Sequence, residues 1–168
     1  REGQISLGTV SKVLKGLEDD LMVRKEPSIE VLQPDRLLEN LVEGYKRDRV
    51  AVRDSMEVQL EAGPDALWRL RRACEEGGIR CVAASMGSID PVPEAGPRDL
   101  YVEDLAAVAR ALRLTPVSRF ANTRILESRD ERVYFDRRDR EGFYWSSPVQ
   151  KYLELVVAGK REREQGED

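Results

Sequence analysis

Hydroxyl and ammonium groups share one side of a helix that is predicted near the start of the chain. At about 3.6 residues per turn, Thr9, Ser11, Lys12 and Lys15 fall on the same side of that helix. Small hydroxyl side chains let a helix come close to the edges of bases, and lysines neutralise phosphates. This side of the helix therefore predicts contact with the major groove of double-stranded DNA.

The element that positions these residues is an amphipathic helix within residues 5–25. Its apolar residues recur at spacings of three and four, which predicts one continuous stripe that anchors the helix to the rest of the protein. These residues are Val10, Val13, Leu14, Leu17 and Leu21. Ser6 is a good N-cap, because its hydroxyl accepts from a free N–H of the first turn. Ile5 then packs on Val10 as a hydrophobic staple.

A short hairpin is predicted directly after this helix. Residues 22–25 and 29–32 have the pattern of two strands on either side of a tight turn. A helix that runs into a small hairpin is typical of the second half of a winged helix-turn-helix, with the helix as recognition helix and the hairpin as wing. The alternative is an ordinary amphipathic helix that packs on a hairpin and serves protein contacts.

The fragment ISLGTVSKVLKGLE, residues 5–18, resembles the recognition helix of many bacterial repressors, including the LacI group with its TVSRVLNG run. The hairpin argues against the LacI group itself, in which the corresponding segment stays helical. A complete winged helix has two helices before the recognition helix, whereas only residues 1–4 precede it here. Either those helices are missing from this chain or the motif interpretation is wrong. We favour a truncated chain, because Arg1 is not a natural start.

The composition narrows the classes of function. The 168 residues carry a net charge of −4 and include no histidine. The lack of histidine excludes hydrolases built on serine–histidine or cysteine–histidine pairs and removes the commonest transition-metal ligand. The negative net charge counts mildly against a nucleic acid as partner. The local distribution matters more, since Lys12, Lys15, Arg24 and Lys25 all belong to the helix and hairpin.

Other bulk features predict a cytoplasmic bacterial protein. Cys74 and Cys81 are too few for a disulfide framework or a zinc site, so packing is their expected role. No apolar run approaches the roughly 20 residues needed to cross a bilayer, and no signal peptide is visible. We expect neither a membrane partner nor a metal or cofactor, and a homo-oligomer is left open.

The predicted elements give an α+β protein, in which a partial winged helix-turn-helix precedes a mixed α/β domain. The first module spans residues 1–50 and contains a second helix that opens at residues 33–35. Its charged end, residues 46–49, is interpreted as the boundary, and a basic clamp on DNA is the alternative. The second domain spans residues 54–160, and residues 161–168 form a polar tail that frays.

The second domain is predicted to begin with a β–α–β unit. Strands at residues 55–60 and 79–85 flank a helix that starts at residues 63–65, so parallel pairing with a right-handed crossover is expected. A surface loop rich in proline and glycine follows at residues 86–98. The remaining predicted elements are strands at 99–103, 116–119, 123–127, 132–137 and 143–145, and helices at 104–112 and after Ser146 or Ser147.

Three carboxylates, Asp99, Glu103 and Asp104, lie around a predicted strand end. Metal-dependent nucleases place carboxylates in this way, so an enzyme of nuclease or nucleotidyltransferase type is the alternative function. The favoured interpretation is that Glu103 and Asp104 interact with the positive, N-terminal end of the following helix. Gly87 and Ser88 with Asp90 form only a weak nucleotidyltransferase-like pattern, because the second carboxylate at the expected spacing is absent.

Arginines are dense in the region of the strands predicted between residues 116 and 145. Alternate arginines on adjacent strands share one face, which would bind RNA or the acidic surface of a toxin partner. The candidates for this face are Arg124, Arg132, Arg137 and Arg138. Carboxylates are interspersed among them, so a self-neutralising, solvated face is the favoured reading.

A second resemblance covers the C-terminal half of the chain. Residues 100–127 and 132–164 resemble the C-terminal domain of AbiEi-type antitoxins, which belong to type IV toxin–antitoxin systems. The densest match is SSPVQKYLEL, residues 146–155. Members of that family open with a winged helix-turn-helix, so the helix and hairpin agree with the resemblance.

This resemblance implies a repressor of its own operon, whose toxin partner is a nucleotidyltransferase-like protein. It places the DNA-reading positions on Ser6, Thr9, Ser11, Lys12, Lys15, Arg24 and Lys25. The expected activity is therefore the binding of operator DNA, without catalysis and without a cofactor. A pure protein-interaction module is the third hypothesis.

Overall fold

The fold is α+β and divides into two compact units. One unit comprises Arg1–Arg49 with Gly159–Asp168, and the other comprises Val50–Ala158. The computed structural model describes residues 5–47, 50–61, 64–84, 98–140 and 142–164. Within the described residues, no helix has the length and apolar character needed to cross a membrane.

The first unit contains a helix, a two-stranded hairpin and a second helix. Its elements are α1 (Leu7–Asp19), β1 (Val23–Arg24), β2 (Glu30–Val31) and α2 (Pro34–Arg47). The two strands pair antiparallel, with Val23 opposite Val31 and Arg24 opposite Glu30. The predicted helix and the predicted hairpin are both confirmed as elements of the structure.

Buried apolar residues of the first unit lie directly after α1 and on α2. They are Met22, Val23, Val42 and Tyr45. The carbonyl of Met22 accepts the backbone N–H of Leu32 at 2.8 Å and that of Gln33 at 3.3 Å. The side-chain amide of Gln33 also donates to the carbonyl of Leu21 at 3.0 Å. These bonds fix the start of α2 against the end of α1.

The apolar stripe of α1 is not the buried, anchoring face that the sequence predicts. The structure describes every residue of α1, and none of them is buried. Leu7 is 85% exposed, Val13 is 55% exposed, and Leu21, just beyond the helix, is 68% exposed. Leu14 and Leu17 are half-buried. Spacing predicts that a helix is amphipathic, but it does not say whether another element covers the apolar side.

The described residues of the second unit form a six-stranded mixed sheet and helices. The strands are β3 (Asp54–Val58), β4 (Cys81–Ala83), β5 (Arg98–Val102), β6 (Thr123–Glu127), β7 (Arg138–Arg140) and β8 (Phe143–Trp145). The helices are α3 (Pro64–Glu76), α4 (Leu105–Leu112), α5 (Glu131–Tyr134) and α6 (Pro148–Glu164). α6 continues past Ala158 into residues that are grouped with the first unit. The strand order is β3-β6-β5-β4-β8-β7. β5 pairs parallel with β6 and β4 pairs parallel with β8, while the other neighbours are antiparallel.

Apolar side chains cover both faces of this sheet. The larger cluster includes Leu70, Cys74, Cys81, Leu100, Val102, Val108, Ile125 and Phe143. The smaller cluster on the other face includes Val82, Tyr101, Leu126, Val133 and Tyr134. Both cysteines are buried free thiols, which agrees with the packing role that the sequence predicts.

Three predictions for this unit are wrong. β3 and β4 run in the same direction, but β6 and β5 lie between them, so the two strands do not pair. Residues 132–137 are not a strand, because Asp130 caps the short helix α5 and the consecutive residues Val133 and Tyr134 are both buried. Residues 116–119 form a loop without strand structure. The predicted loop at 86–98 lies, apart from Arg98, outside the described residues.

The two edge strands of the sheet, β3 and β7, differ in what lies along their outer sides. Val117 of the loop before β6 donates its backbone N–H to the carbonyl of Glu57 on β3 at 2.9 Å. Just after β3, the Asn122 side chain accepts the N–H of Leu60 at 2.8 Å and donates to its carbonyl at 2.7 Å. β7 is only three residues long and fully exposed.

Candidate nucleic-acid interface

Ser6 and Thr9 shape the start of α1. The Ser6 hydroxyl oxygen accepts the backbone N–H of Thr9 at 3.1 Å, and the two hydroxyl oxygens lie 2.9 Å apart. The bond satisfies one of the N–H groups that a helix leaves without a partner in its first turn. Both side chains are exposed. The prediction that Ser6 caps the helix is confirmed, and DNA contact by Ser6 and Thr9 stays a prediction.

Ser11, Lys12 and Lys15 continue the same side of α1. All three are exposed, and the ion pairs found among the described residues of this unit include neither lysine. Gly8 and Gly16 stand four residues before and after Lys12, and open space surrounds the position that a Cβ would take at Gly16. The helix backbone is therefore accessible on both sides of the Lys12 amine.

Arg24 and Lys25 of the hairpin differ from the lysines of α1, because both are paired with carboxylates. The Arg24 guanidinium bonds to Glu30, its cross-strand neighbour. The Lys25 amine lies 2.7 Å from the Glu18 carboxylate at the end of α1. The structure thus brings the predicted cations into one unit, but two of them are neutralised there.

The C-terminal end of α1 is acidic. Glu18 and Asp19 close the helix and Asp20 follows as its C-cap. Their negative charges repel phosphates, and they also lie at the end of the helix where the dipole is negative. Contact with a polyanion is therefore favourable only along the first part of α1, up to Lys15.

The four arginines predicted to share one face do not lie on adjacent strands. β6 carries Arg124 and β7 begins with Arg138, and β5, β4 and β8 separate these two strands. Each arginine has a local partner: Asp99 for Arg124 (2.6 Å), Asp130 for Arg132 (2.5 Å), Asp136 for Arg138 (3.3 Å), and the Tyr144 ring for Arg137 (4.2 Å). The predicted arrangement is wrong, and the partners agree with a self-neutralising surface.

The three carboxylates of the alternative enzymatic reading serve separate structural roles. Asp99 binds Arg124, and Glu103 binds Arg80 at 2.6 Å. Asp104 is the N-cap of α4 and accepts the N–H of Ala107 at 2.8 Å. No group of three or more potential metal ligands is present within the described ranges. Gly87, Ser88 and Asp90 lie outside those ranges.

Arg80 holds a cluster of ion pairs that the sequence did not predict. Its guanidinium bonds to both oxygens of Glu131 at 2.6 and 2.7 Å and lies 4.6 Å from the centre of the Tyr134 ring. Hydrogen bonds from Arg80 lower the pKa of Glu131. Burial raises the pKa of Glu103, but the hydrogen bonds from Arg80 outweigh burial, so the pKa is lowered overall. These partners are 23 and 51 residues from Arg80 in sequence, so no local pattern could reveal the cluster.

Tyr144 of β8 lies between two guanidinium groups. The guanidinium carbons of Arg71 and Arg137 both lie 4.2 Å from the centre of its ring. Its hydroxyl accepts from Arg71 at 3.0 Å and donates to Glu75 at 3.0 Å. Bonds from Arg71 and then from Tyr144 lower the pKa of Glu75. The cluster joins α3 to β8 and has a structural role.

Glu154 of α6 is a carboxyl group without a cation partner among the described ion pairs. It accepts from the Gln150 side-chain amide at 2.8 Å and from the Tyr101 hydroxyl at 3.3 Å. Burial raises the pKa of Glu154 above its ordinary value of 4.5, and the negative charge of Asp99 raises it further, although the two hydrogen bonds act in the opposite direction. The folded state therefore favours the protonated acid.

Glu154→Gln should raise the free energy of unfolding near neutral pH and leave it unchanged in acid. The pKa of Glu154 is higher in the folded state. The stability that its wild-type carboxyl group contributes is therefore fully present at pH values below the pKa of the unfolded state, and it is lost as pH rises through the pKa of the folded state. Glutamine imitates the protonated acid at every pH. Urea unfolding at about pH 4 and about pH 7 measures the difference. An identical pH dependence in both proteins would contradict this role of Glu154.

No protein-family model, no curated protein and no solved structure matches the chain.

Proposed function

We propose that the chain is a DNA-binding transcriptional regulator in which α1 contacts operator DNA through the side that carries Ser11, Lys12 and Lys15. The observation that supports this most directly is the state of the two lysine amines. They are exposed, and the ion pairs found in the described part of the unit leave both of them out. The hairpin β1–β2, with Arg24 and Lys25, serves as the wing beside the helix.

The first part of α1 suits a polyanion for three physical reasons. The dipole favours phosphates at the N-terminus of a helix, where Ser6 and Thr9 supply hydroxyl groups. Lys12 and Lys15 neutralise phosphates and release the counterions that DNA holds. Gly16 leaves the backbone open on that side, so the helix axis approaches the groove closely.

The particular regulator that we propose is an autoregulatory antitoxin of a type IV toxin–antitoxin system in a bacterial cytoplasm. This step rests on the resemblance of residues 100–127 and 132–164 to the C-terminal domain of AbiEi-type antitoxins. The first unit then binds the operator of its own operon, and the partner in the system is a nucleotidyltransferase-like toxin.

Fluorescence anisotropy with duplex DNA from the chain's own promoter tests the proposal. We expect the binding constant to fall steeply as salt rises, because phosphate contacts release counterions. A chain without affinity for DNA would favour a protein-interaction module instead. The observation that supports this second candidate is the exposed apolar stripe of α1, with Leu7 and Val13 more than half exposed.

Gly16→Ala should stabilise the protein and yet weaken DNA binding. A helical glycine costs about 1 kcal/mol relative to alanine, and a Cβ at Gly16 meets no atom within 4 Å. The same methyl group would hold the helix away from the DNA backbone, so we expect an affinity loss of about fivefold or more. Urea unfolding measures the first effect and anisotropy measures the second.

Gly44 of α2 provides a matched control for this substitution. A Cβ at Gly44 also meets no atom within 4 Å, so Gly44→Ala should give a similar gain in stability. It lies outside the proposed interface and should leave DNA affinity unchanged. Equal affinities of the Gly16→Ala variant and the wild-type chain would show that α1 does not approach DNA by this side.

A further inference from the structure

We propose that Glu18 and Glu30 compete with DNA phosphates for the cations of the hairpin and so suppress binding to DNA of random sequence. This inference rests on the proposed DNA-binding function and adds to it a role for two carboxylates. Lys12 and Lys15 then supply the basal attraction to any duplex. Arg24 and Lys25 bind only where a phosphate is placed well enough to displace their carboxylate partners.

The geometry of the two ion pairs carries the inference. Arg24 and Glu30 are direct cross-strand neighbours, so the hairpin itself holds the carboxylate against the guanidinium. Glu18 reaches the Lys25 amine at 2.7 Å from the end of α1, which carries the proposed recognition face. Carboxylate and phosphate oxygens accept the same N–H groups. Each carboxylate therefore occupies the donors that a phosphate would need.

The exposure of these side chains makes the exchange feasible. The Arg24 and Glu30 side chains are 57% and 53% exposed, and those of Lys25 and Glu18 are 30% and 43% exposed. Ion pairs in contact with water are weak and are screened by salt. A phosphate held in place by other contacts can therefore displace the carboxylates, whereas a phosphate met at random gains little from doing so.

The salt dependence of binding follows from the same pairing. Each phosphate that a free cation neutralises contributes about 0.9 to the slope of log K against log salt concentration. When a cation leaves a carboxylate for a phosphate, the carboxylate becomes unpaired and takes up a counterion from solution. This uptake cancels the release of a counterion from the DNA. In the wild-type chain the hairpin cations thus add little to the slope, and the lysines of α1 dominate it.

Titrations of the chain against a labelled duplex of random sequence test this. Glu30→Gln and Glu18→Gln each remove one carboxylate and keep the side-chain shape. Each should steepen the slope by about 0.9 between about 50 and 200 mM salt and raise affinity up to about eightfold at about 0.1 M salt. Glu39→Gln on the exposed surface of α2 makes the same change in net charge and should leave the slope unchanged.

The outcomes separate this inference from the proposed function. Steeper slopes for the Glu18 and Glu30 variants, with none for the Glu39 variant, support the competition. If the wild-type chain binds DNA and all three variants keep its slope, the competition is overturned while the DNA-binding function stands. If neither the wild-type chain nor any variant binds promoter or random DNA, both are overturned. Urea unfolding confirms beforehand that the variants are folded.

Discussion

The variant Lys12→Ala/Lys15→Ala should bind promoter DNA about sixtyfold more weakly than the wild-type chain at about 0.1 M salt. Each lysine that neutralises a phosphate contributes roughly eightfold under these conditions through counterion release. Both amines are exposed, and neither belongs to an ion pair found in the described part of the first unit. The slope of log K against log salt concentration should fall by about 1.8.

The fold should survive this double substitution. Neither lysine is buried, and alanine is the best helix former, so circular dichroism should show an unchanged helix content. Arg36→Ala on α2 is the control, because it removes a positive charge from the same unit outside the proposed contact side. A double variant that keeps the wild-type slope would show that α1 does not carry the phosphate contacts.

Arg124→Ala should destabilise the second unit by about 3 kcal/mol or more. Arg124 on β6 and Asp99 on β5 stand opposite each other in the sheet. The guanidinium bonds to both carboxylate oxygens, at 2.8 and 2.6 Å. The Asp99 side chain is only 8% exposed, whereas that of Arg124 is 41% exposed. Removing the arginine leaves a buried carboxylate without its cation. An unpaired buried charge costs more than an unpaired exposed one.

The reverse substitution should cost less. After Asp99→Ala, the partly exposed Arg124 guanidinium can recover its hydration, so the loss should be about half as large or smaller. The double variant should be more stable than Arg124→Ala alone, because the buried charge is then absent. Urea unfolding of the three variants measures these differences. Equal losses for both single variants would mean that burial of Asp99 does not govern the energetics.

Local elements were predictable from the sequence because short-range chemistry determines them. The spacing of apolar residues and the Ser6 cap predicted α1, and Asp104 with the following stripe predicted α4. Both helices are confirmed, with Ser6 and Asp104 as their N-caps. The hairpin was also predictable, since its two strands flank a short turn. In each case the decisive interactions join residues only a few positions apart.

Long-range arrangements were not predictable in the same way. The separation of β3 from β4 depends on β6 and β5, which come later in the chain and insert between them. The α1 stripe was expected to anchor the helix, but a pattern does not show which element covers it. The predicted arginine face failed for a related reason. The strand predicted at residues 132–137, next to the strand of Arg124, is not formed. Three strands separate β6, which carries Arg124, from β7, which begins with Arg138.

The borders of the six-stranded sheet have a consequence for self-association. Unpaired edges act as templates on which a strand from another molecule polymerises. Val117 already occupies the Glu57 carbonyl of β3, and just after β3 the Asn122 side chain occupies both backbone groups of Leu60. On β7, the alternating charges of Arg138, Asp139 and Arg140 oppose docking of a further strand over a length of only three residues. As far as the described residues extend, the sheet is thus protected against fibre-like growth at both borders.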